Sequence, residues 1–578
     1  MSYKIELQDA FKKYTLDQDK VISPKETVER FKKRLKEVNL DILKDTVRID
    51  NGRLDIPVFF SLCGKDAESV TGTKKQMGKG GSVEQAEASA VMELAERFSF
   101  FSFYSNINNF TINAYDNVRE DAISFDMIAQ SVHDQSHELS EARKLFGTLP
   151  LKWTWAYNLT HEKPVLIPFD WFFAINEFNG PSAGNCNEEA ISQGICEVVE
   201  RHVSAVISRN RLPAPSILLN DITEPLVLDM LQKYQAAGIR LFISDFTLDT
   251  AIPSIGVMAY DPSTFPKKSE IVWTAGTTTD PQKSLSRALS ETAQLAGDFN
   301  TGSNYVASGL PKFTSLEDAA FITHPTSHIS LSKLPNLSSD NIKEEIQNLV
   351  SALMKKNMEV LVVRTTHNGL QIPSFYTIIP GAHFRERAMG TSVGMFSAKL
   401  IFNNFAPEAA LHKLKEAEKL LPGKFYTHFY MGNCLLMMGN PQEALSYFQK
   451  ALKLDPTPED IASIYSYMGF CLKELEQYQE ALNVLENGIK ADPDRTDIYN
   501  LMGFCYFKLK QHDSAITCFK NILKLDPSSA IDYANIASNY RDMGKKDKAI
   551  RYYQIALELD PSIEFARQNL EKLGYQQQ

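Results

Sequence analysis

A regular spacing of Asp-Pro pairs in the last third of the chain restricts the fold more than any other feature. The pairs begin at Asp455, Asp492, Asp526 and Asp560, at steps of 37, 34 and 34 residues. Other positions recur at the same steps: small residues (Gly432, Gly469, Gly503, Ala537), alanines (Ala444, Ala481, Ala515, Ala549) and bulky residues (Phe448, Leu485, Phe519, Tyr553). Small residues let helices approach closely, and proline ends a helix, so the pattern predicts stacked helix pairs.

This spacing is typical of the tetratricopeptide repeat, a helix-turn-helix unit of about 34 residues. We predict an all-α tetratricopeptide-repeat solenoid over residues 405–578, with about four full repeats. A half-repeat carrying Ala410, Leu414, Ala417 and Pro422 precedes them, and a capping helix over 562–573 follows. Such arrays bind other proteins along one face. We therefore expect a protein partner or self-association through the repeats, with a homodimer as the simplest assembly.

Two sets of residues recur in the repeats and invite a functional interpretation. Cys434, Cys471 and Cys505 occupy one equivalent position, as do Tyr465, Tyr499 and Tyr533. The cysteines could form a metal or thiol site, and the tyrosines a ligand platform. Because cysteine behaves as a small apolar residue in a core, we interpret both sets as packing.

Residues 1–400 have a different pattern and are predicted to form one α+β domain. Short runs rich in β-branched and aromatic residues alternate with longer helical stretches. The predicted strands are 58–62, 151–157, 165–168, 241–243, 255–260 and 360–363, and the predicted helices are 24–38, 82–103, 187–210, 226–237, 281–299 and 341–357.

Composition excludes some classes of protein. A net charge of −10 over 578 residues argues against general binding of nucleic acid or anionic membranes. No continuous apolar stretch is long enough to span a membrane, and residues 1–20 do not resemble a secretion signal. The seven cysteines form no CxxC pair. We therefore expect a cytoplasmic protein.

Two predicted helices each carry a pair of glutamates spaced three positions apart, and a third carries a related pair of an acid and an amide; these suggest the chemistry. The pairs are Glu93 with Glu96, Glu197 with Glu200, and Glu291 with Gln294. At this spacing two side chains share one helical face. Their neighbours are mostly Ala, Val, Met and Leu, so burying these carboxylates requires compensating cations.

Mg²⁺ is the natural compensating cation, because it prefers oxygen ligands and usually bridges carboxylates to nucleotide phosphates. Arg97, Arg201 and Arg287 lie on the same helices and could contact phosphate or pair with the acids. Each acidic pair taken alone is also explained by a solvated helix face with a local salt bridge. The recurrence on three helices favours a site for a metal and a nucleotide.

Glycine-containing segments precede the first two acidic helices, at 78–82 and 179–185. The exposed amides of a helix N-terminus attract phosphate groups. Neither segment is a P-loop or a dinucleotide-binding fingerprint. Each is therefore a weak signal when taken alone.

Together these motifs resemble the YcaO family over residues 22–387. The pattern is G-K-G with E-x-x-E-R, then N-G-x-x-A-G-N with E-x-x-E-R, then R-A-x-x-E-x-x-Q, in that order. The resemblance implies an α+β fold that binds ATP through Mg²⁺ held by acidic helices. It implies Mg²⁺ ligation by Glu93, Glu197 and Glu200, and roles in catalysis for Glu93, Glu200, Arg201 and Arg287.

The resemblance also implies a set of nucleotide-binding residues. These are Lys79, Ser89 and Glu96 in the first motif, Asn185 and Glu189 in the second, and Glu291 and Gln294 in the third. Lys20 and Thr27 match the opening segment of stand-alone members, with Thr in the place of the usual Ser. His202 follows Glu200-Arg201 where Asp is common, and we interpret it as a packing residue.

The implied reaction is ATP-dependent phosphorylation of a backbone amide oxygen in a peptide or protein substrate. The chain ends in Gly574–Gln578 without the Pro-rich tail of azoline-forming members, which argues against peptide cyclodehydration. Accessory function in the methylthiolation of a ribosomal protein is the leading expectation. Thioamide or azoline formation and a non-catalytic ATP-sensing scaffold are the alternatives.

Overall fold

The computed structural model describes residues 3–302, 305, 309–384, 391–526 and 528–574. The chain divides into two compact units. The first comprises Met1–Ser136 and Gly147–Ser392, and the second comprises His137–Phe146 and Val393–Gln578. The predicted division at residues 400–405 stays a prediction. The units part between Ser392 and Val393, and the short segment 137–146 belongs with the repeats.

The strands of the first unit form three sheets. In chain order they are β1 (Leu43–Arg48), β2 (Val58–Cys63), β3 (Lys75–Lys79), β4 (Thr111–Ala114), β5 (Pro150–Asn158), β6 (Lys163–Pro168), β7 (Pro181–Ala183), β8 (Ser216–Leu218), β9 (Arg240–Asp245), β10 (Ser254–Tyr260), β11 (Val272–Thr277), β12 (His328–Ser330), β13 (Leu361–Arg364) and β14 (Ser374–Ile378). The sheets have the orders β1-β2-β3, β11-β10-β9-β8-β12 and β4-β5-β13-β14-β7, with β6 also paired to β5. The pairing is antiparallel except between β8 and β12.

The helices of the described chain extend from the first unit through the second. They are α1 (Pro24–Val38), α2 (Lys65–Thr71), α3 (Val83–Ser105), α4 (Tyr115–Val118), α5 (Phe125–Ser131), α6 (Leu139–Gly147), α7 (Phe169–Asn176), α8 (Asn187–Asn210), α9 (Pro225–Ala236), α10 (Pro281–Ala296), α11 (Ala320–Thr323), α12 (Ile342–Met354), α13 (Val393–Asn404), α14 (Pro407–Leu420), α15 (Phe425–Met437), α16 (Pro441–Leu452), α17 (Pro458–Glu474), α18 (Tyr478–Ala491), α19 (Thr496–Lys508), α20 (His512–Leu525), α21 (Ala530–Asp542), α22 (Lys546–Leu559) and α23 (Glu564–Lys572).

Helix α3 is positioned by a polar cap and by a close approach to β3. The Ser82 hydroxyl accepts a hydrogen bond from the Gln85 amide and begins the helix. A Cβ on Gly78 would lie 1.9 Å from the Ala90 amide nitrogen, so only glycine lets β3 lie against this helix. The G-K-G segment, predicted as a loop, is therefore the end of a strand.

Helices α8 and α10 are positioned in the same way. A Cβ on Gly194 in α8 would lie 2.3 Å from the Thr377 hydroxyl of β14, so this helix packs directly on the third sheet. Asp280 caps α10 by accepting hydrogen bonds from the Gln282 and Lys283 amides, and Pro281 fills its first position. The apolar faces of α9 and α10 cover β9–β11 in one buried core.

The second unit consists of stacked helix pairs, as its repeat period predicts. The pairs are α15/α16, α17/α18, α19/α20 and α21/α22, with α14 before them and α23 after them. Cys434, Cys471 and Cys505 are fully buried, and burial raises the pKa of Cys471 to about 12. Cys471 and Cys505 belong to one buried core, against which Tyr465 and Tyr499 pack, and Tyr533 packs against the next core along the repeats. Pro527 lies outside the described residues.

Candidate functional site

The three acidic helices meet beside a cavity of about 120 Å³ in the first unit. Predicted site residues line most of it. They are Lys20, Thr27, Lys79, Ser89, Glu93, Glu96, Asn185, Glu189 and Arg287. These residues come from α1, β3, α3, α8, α10 and the segment before α8. The two that are farthest apart in sequence, Lys20 and Arg287, are separated by 267 positions.

The remaining predicted residues lie behind this lining. Glu291 contacts the Lys79 ammonium, so the third motif reaches the first through an ion pair. Glu197, Glu200 and Arg201 form the next layer on α8. Gln294 is half-buried on α10 and is not among the described residues that line the cavity.

Arginines balance the buried carboxylates. Arg97 Nη2 lies 2.9 Å from Glu93 Oε1, and its Nε lies 3.6 Å from Glu96 Oε1. Arg201 lies 3.8 Å from Glu197 and 3.6 Å from Glu200. Each E-x-x-E-R motif thus folds its arginine back onto its own two acids.

The acids repel one another despite these arginines. Burial, together with repulsion from Glu93 and Glu197, raises the pKa of Glu96 well above its ordinary value. Burial and the nearby Glu93 also raise the pKa of Glu197. Carboxylates that resist ionisation in this way gain most from an added cation.

Glu200 has partners on both of its carboxylate oxygens. It is 3% exposed, and its Oε2 accepts hydrogen bonds from the Thr277 amide and from Arg287 Nε, each at 3.2 Å. Its second oxygen, Oε1, lies 3.6 Å from Arg201 Nη1. Glu200 therefore links α8 to β11 and α10.

Glu189 holds the opening segment of the chain in place. Its carboxylate accepts hydrogen bonds from the Val21 amide at 2.7 Å and from the backbone and side-chain nitrogens of Asn185 at 2.9 Å. Lys20 Nζ lies 4.0 Å from the same group. The predicted nucleotide contacts Lys20, Asn185 and Glu189 therefore form one connected group at the cavity wall.

Sequence reasoning missed Asp17, Gln18, Gln85 and Gln193, which also line the cavity. Asp17 is buried and accepts hydrogen bonds from the Gly81 amide at 2.5 Å and from the Ser286 hydroxyl at 3.1 Å. Burial raises the pKa of Asp17. The acidic Asp17–Asp19 pair before Lys20 was the available signal, although nothing local indicates where it packs.

His202 lies in a stack of three imidazoles, away from the acidic cluster's ion pairs. Its Nδ1 accepts a hydrogen bond from the His383 amide at 3.0 Å, and the His133 and His383 rings are 3.8 Å apart and parallel within 3°. Burial lowers the pKa of His202 to about 4. The predicted packing role of His202 agrees with this geometry.

The residues at the cavity fit ATP and Mg²⁺. Lys20, Lys79 and Arg287 supply cations for phosphate, and Glu93 and Glu96 supply oxygens for Mg²⁺. Gln85 Oε1, which is buried at the cavity, has no hydrogen-bond partner among the described residues. Within those residues, no three His, Cys, Asp or Glu side chains are grouped closely enough to hold an ion. Ligation of Mg²⁺ by Glu93, Glu197 and Glu200 therefore stays a prediction. On this prediction, Mg²⁺ would balance the negative charge of the glutamates that the arginines balance in this structure.

Comparison with known proteins agrees with this geometry. Residues 77–383 match the family described as YcaO cyclodehydratase, ATP- and Mg²⁺-binding. Residues 427–533 match the tetratricopeptide-repeat domain of cytochrome c-type biogenesis protein H, and residues 530–563 match the tetratricopeptide repeat itself. No helix in the described part of the chain is long and apolar enough to cross a membrane.

Individual relatives are distant. An uncharacterised protein of Methanothermobacter thermautotrophicus is 24% identical over 379 residues, which cover 62% of this chain and 94% of that protein. The ribosomal protein S12 methylthiotransferase accessory factor YcaO of Escherichia coli is 29% identical over 217 residues, 32% of this chain and 35% of that protein.

Among solved structures, a heterocyclase in complex with substrate and cofactor shares the fold, with a TM-score of 0.53 and 20% identity. The alignment covers 66% of this chain and 55% of the heterocyclase chain. The YcaO model itself matches more than half of the chain. The protein is therefore a member of the YcaO family, which binds ATP and Mg²⁺, with tetratricopeptide repeats at its C-terminal end.

Proposed function

We propose that the protein uses ATP and Mg²⁺ to phosphorylate a backbone amide oxygen of a peptide or protein substrate. The observation that carries the proposal is the cavity itself, in which buried acids from two helices face lysine and arginine side chains. Magnesium-bound ATP supplies the γ-phosphoryl group that turns the amide oxygen into a leaving group.

The side chains at the site have different roles in this proposal. Glu93, Glu197 and Glu200 hold Mg²⁺, and Glu96, Asn185 and Glu189 support the nucleotide. Lys79, Arg201 and Arg287 balance the negative charge that develops on phosphate. Lys20, Thr27 and Ser89 lie at the cavity wall, where they would contact a bound nucleotide. Glu291 and Gln294 lie behind Lys79 on α10, and Glu291 fixes the Lys79 ammonium.

The biological role that we propose is that of an accessory factor in ribosomal protein methylthiolation. The name of the Escherichia coli relative supports this role, and its match with this chain spans 217 residues. The repeats bind a protein partner or a second copy of the chain. All seven cysteines are free, which supports a cytosolic location.

Phosphate release measured with Mg²⁺ and ATP, with and without candidate peptides, tests the enzymatic function. Glu93→Gln should lower the rate of phosphate release by about 10- to 100-fold, because a neutral amide is a poorer ligand for Mg²⁺ than a carboxylate. Glu84→Gln is the matched control, since Glu84 is exposed on the same helix. Its rate should equal that of the wild-type protein.

Two outcomes would contradict the proposal. Wild-type protein that releases no phosphate above background with any peptide would be a scaffold that only binds ATP. A Glu93→Gln variant with the wild-type rate of phosphate release would show that Glu93 is not needed for Mg²⁺ binding or catalysis. Mass spectrometry of the treated peptide then identifies the product. A heterocycle or a thioamide in the peptide would show that the protein modifies peptides directly and is not an accessory factor.

A further inference from the structure

A second cavity, of about 490 Å³, lies in the first unit at a split in the third sheet. Its walls are the end of α3, the middle of β5, the segment that leads into β4, and β13 with the residues that follow it. None of the predicted site residues lines it. We call this cavity the sheet cleft.

The split arises because two strands share one edge of β5 without meeting. Strand β4 pairs with β5 up to Thr111 opposite Trp153. Strand β13 pairs with it only at Val362 opposite Tyr157 and Leu361 opposite Asn158. Because β6 pairs with β5 all along the opposite edge, the edge at residues 154–156 has no strand partner among the described residues. The gap is about as long as a short inserted strand.

The sheet cleft and the nucleotide cavity are both lined by residues of α3. Ser89, Met92, Glu93 and Glu96 line the first cavity, and Ser99, Ser102, Phe103 and Asn106 line the second. Residues 89, 92–93, 96, 99, 102–103 and 106 recur about every three positions, so the two sets lie on adjoining parts of one side of α3, with Asn106 just after its end. From Glu96 to Ser99 the helix rises only about 4.5 Å. The two cavities are therefore lined by neighbouring turns of the same helix.

Polar groups in the cleft lack partners. Ser99 and Thr365 are 0% and 1% exposed, and neither side-chain hydroxyl has a hydrogen-bond partner among the described residues. Buried hydroxyls without partners are costly, so these two groups mark a polar wall behind the cleft. Arg364 carries the cleft's positive charge and forms no ion pair within the described chain.

The chain's own beginning shows that the cleft accommodates an aromatic residue. The Tyr3 ring stacks on Trp155, with centroids 4.8 Å apart, and Ile5 is 5% exposed against the same walls. A segment of the chain itself thus already lies in the cleft. Its side chains use an aromatic contact and an apolar contact.

We infer that the sheet cleft binds the substrate peptide in an extended conformation. The peptide pairs with the free edge of β5 beside the stacked Tyr3 and Trp155 rings, and presents an acidic side chain to Arg364. Main-chain hydrogen bonds give affinity, and the contact with Arg364 gives preference. The inference rests on the proposed function, because it places the amide substrate beside the nucleotide cavity.

Photo-crosslinking of full-length protein tests this site without ATP. Two pools of random decapeptides carry a central benzoylphenylalanine, and their charged residues are only acidic in one pool and only basic in the other. Crosslinked residues are mapped by mass spectrometry. We expect the acidic pool to label 153–157 and 362–368 at least threefold more than the basic pool.

Charge reversal supplies the control. Arg364→Glu should invert the preference between the pools, whereas Arg240→Glu, at an exposed position of β9, should leave it unchanged. Labelling that avoids the cleft in the wild-type protein, or an unaltered preference in Arg364→Glu, would overturn the inference. Because no nucleotide is present, either result is independent of phosphate release, which alone decides the proposed function.

Discussion

Arg287 on α10 donates a hydrogen bond from its Nε to Oε2 of Glu200 on α8, across 3.2 Å. This bond joins the second and third sequence motifs in a buried environment. The Arg287 Nη1 also donates to Gln193 Oε1 at 3.3 Å. One guanidinium therefore fixes two side chains of α8 and faces the cavity at the same time.

Removal of Arg287 should destabilise the protein. Arg287→Met leaves Glu200 buried with less compensation, and breaking such a pair costs about 3–5 kcal/mol. The double variant Arg287→Met/Glu200→Gln should lose about 1–3 kcal/mol less than the sum of the single variants, because the unpaired charge is gone. Urea denaturation gives the free energies of unfolding. Additive losses would show that the two side chains do not interact.

Lys79 should make nucleotide binding depend on pH. Burial, with repulsion from Arg287 and Arg201, lowers the pKa of Lys79 to about 7 even though Glu291 contacts its nitrogen. A bound phosphate favours the ammonium form, so binding near pH 7–8 should take up a proton. Affinity should then fall as pH rises above about 7, by at most about tenfold per unit.

Titration calorimetry with Mg²⁺ and a non-hydrolysable ATP analogue, in buffers of different ionisation enthalpy, measures this proton uptake. Lys79→Arg keeps a positive charge at every pH in this range and should remove the uptake. Equal proton uptake by both proteins would assign the proton to another group.

Local sequence patterns were sufficient for the long helices. Helix α8 has the predicted bounds, 187–210, and α1 begins at Pro24 because the Ser23 hydroxyl caps it. The strand β3 was missed, because its sequence Lys75–Lys79 is polar, contains a glycine and is only partly buried. Its pairing with β2 and its contact with α3 decide its conformation.

The site was predicted only as far as its motifs extend. Asp17 joins it through Gly81 and Ser286, which are 64 and 269 residues away, so no local pattern could place it. The sheet cleft was not foreseen either, because it depends on where β4 and β13 stop pairing with β5. Both features arise from tertiary contacts.

The three stacked histidines should weaken the fold in acid. Burial lowers the pKa of His383 to about 3 and that of His202 to about 4, whereas unfolded histidine titrates near pH 6.5. Between those values the unfolded chain binds more protons, so the free energy of unfolding should fall as pH decreases from about 6.5 to about 4. Above about pH 6.5 this contribution is fully present.

His383→Phe keeps an aromatic ring against His133 and removes one titrating group. Its free energy of unfolding, measured by urea denaturation from pH 7.5 to 4.5, should depend on pH less steeply than that of the wild-type protein, by on the order of 1 kcal/mol per pH unit. The conservative surface change His412→Phe, at an exposed position of α14, should leave the slope as it is. Parallel slopes for His383→Phe and the wild-type protein would show that the stack does not cause the loss.

An added methyl group at Gly469 should clash with the paired helix. A Cβ at this position of α17 would lie 2.3 Å from Leu485 Cδ2 of α18. Overpacking of this kind costs about 1–3 kcal/mol, whereas alanine in an exposed helix gains about 1 kcal/mol over glycine. A lower thermal midpoint for Gly469→Ala would therefore report the helix contact and not helix propensity.

The partner residue provides the decisive comparison. Leu485→Ala opens space beside Gly469, so Gly469→Ala should cost less in that background than in the wild-type protein. Asn483→Ala, at an exposed position of α18, controls for the change in helix propensity and should not lower the midpoint. If Gly469→Ala instead stabilises the protein as it would an exposed helix, the glycine at this repeat position is not required for close helix packing.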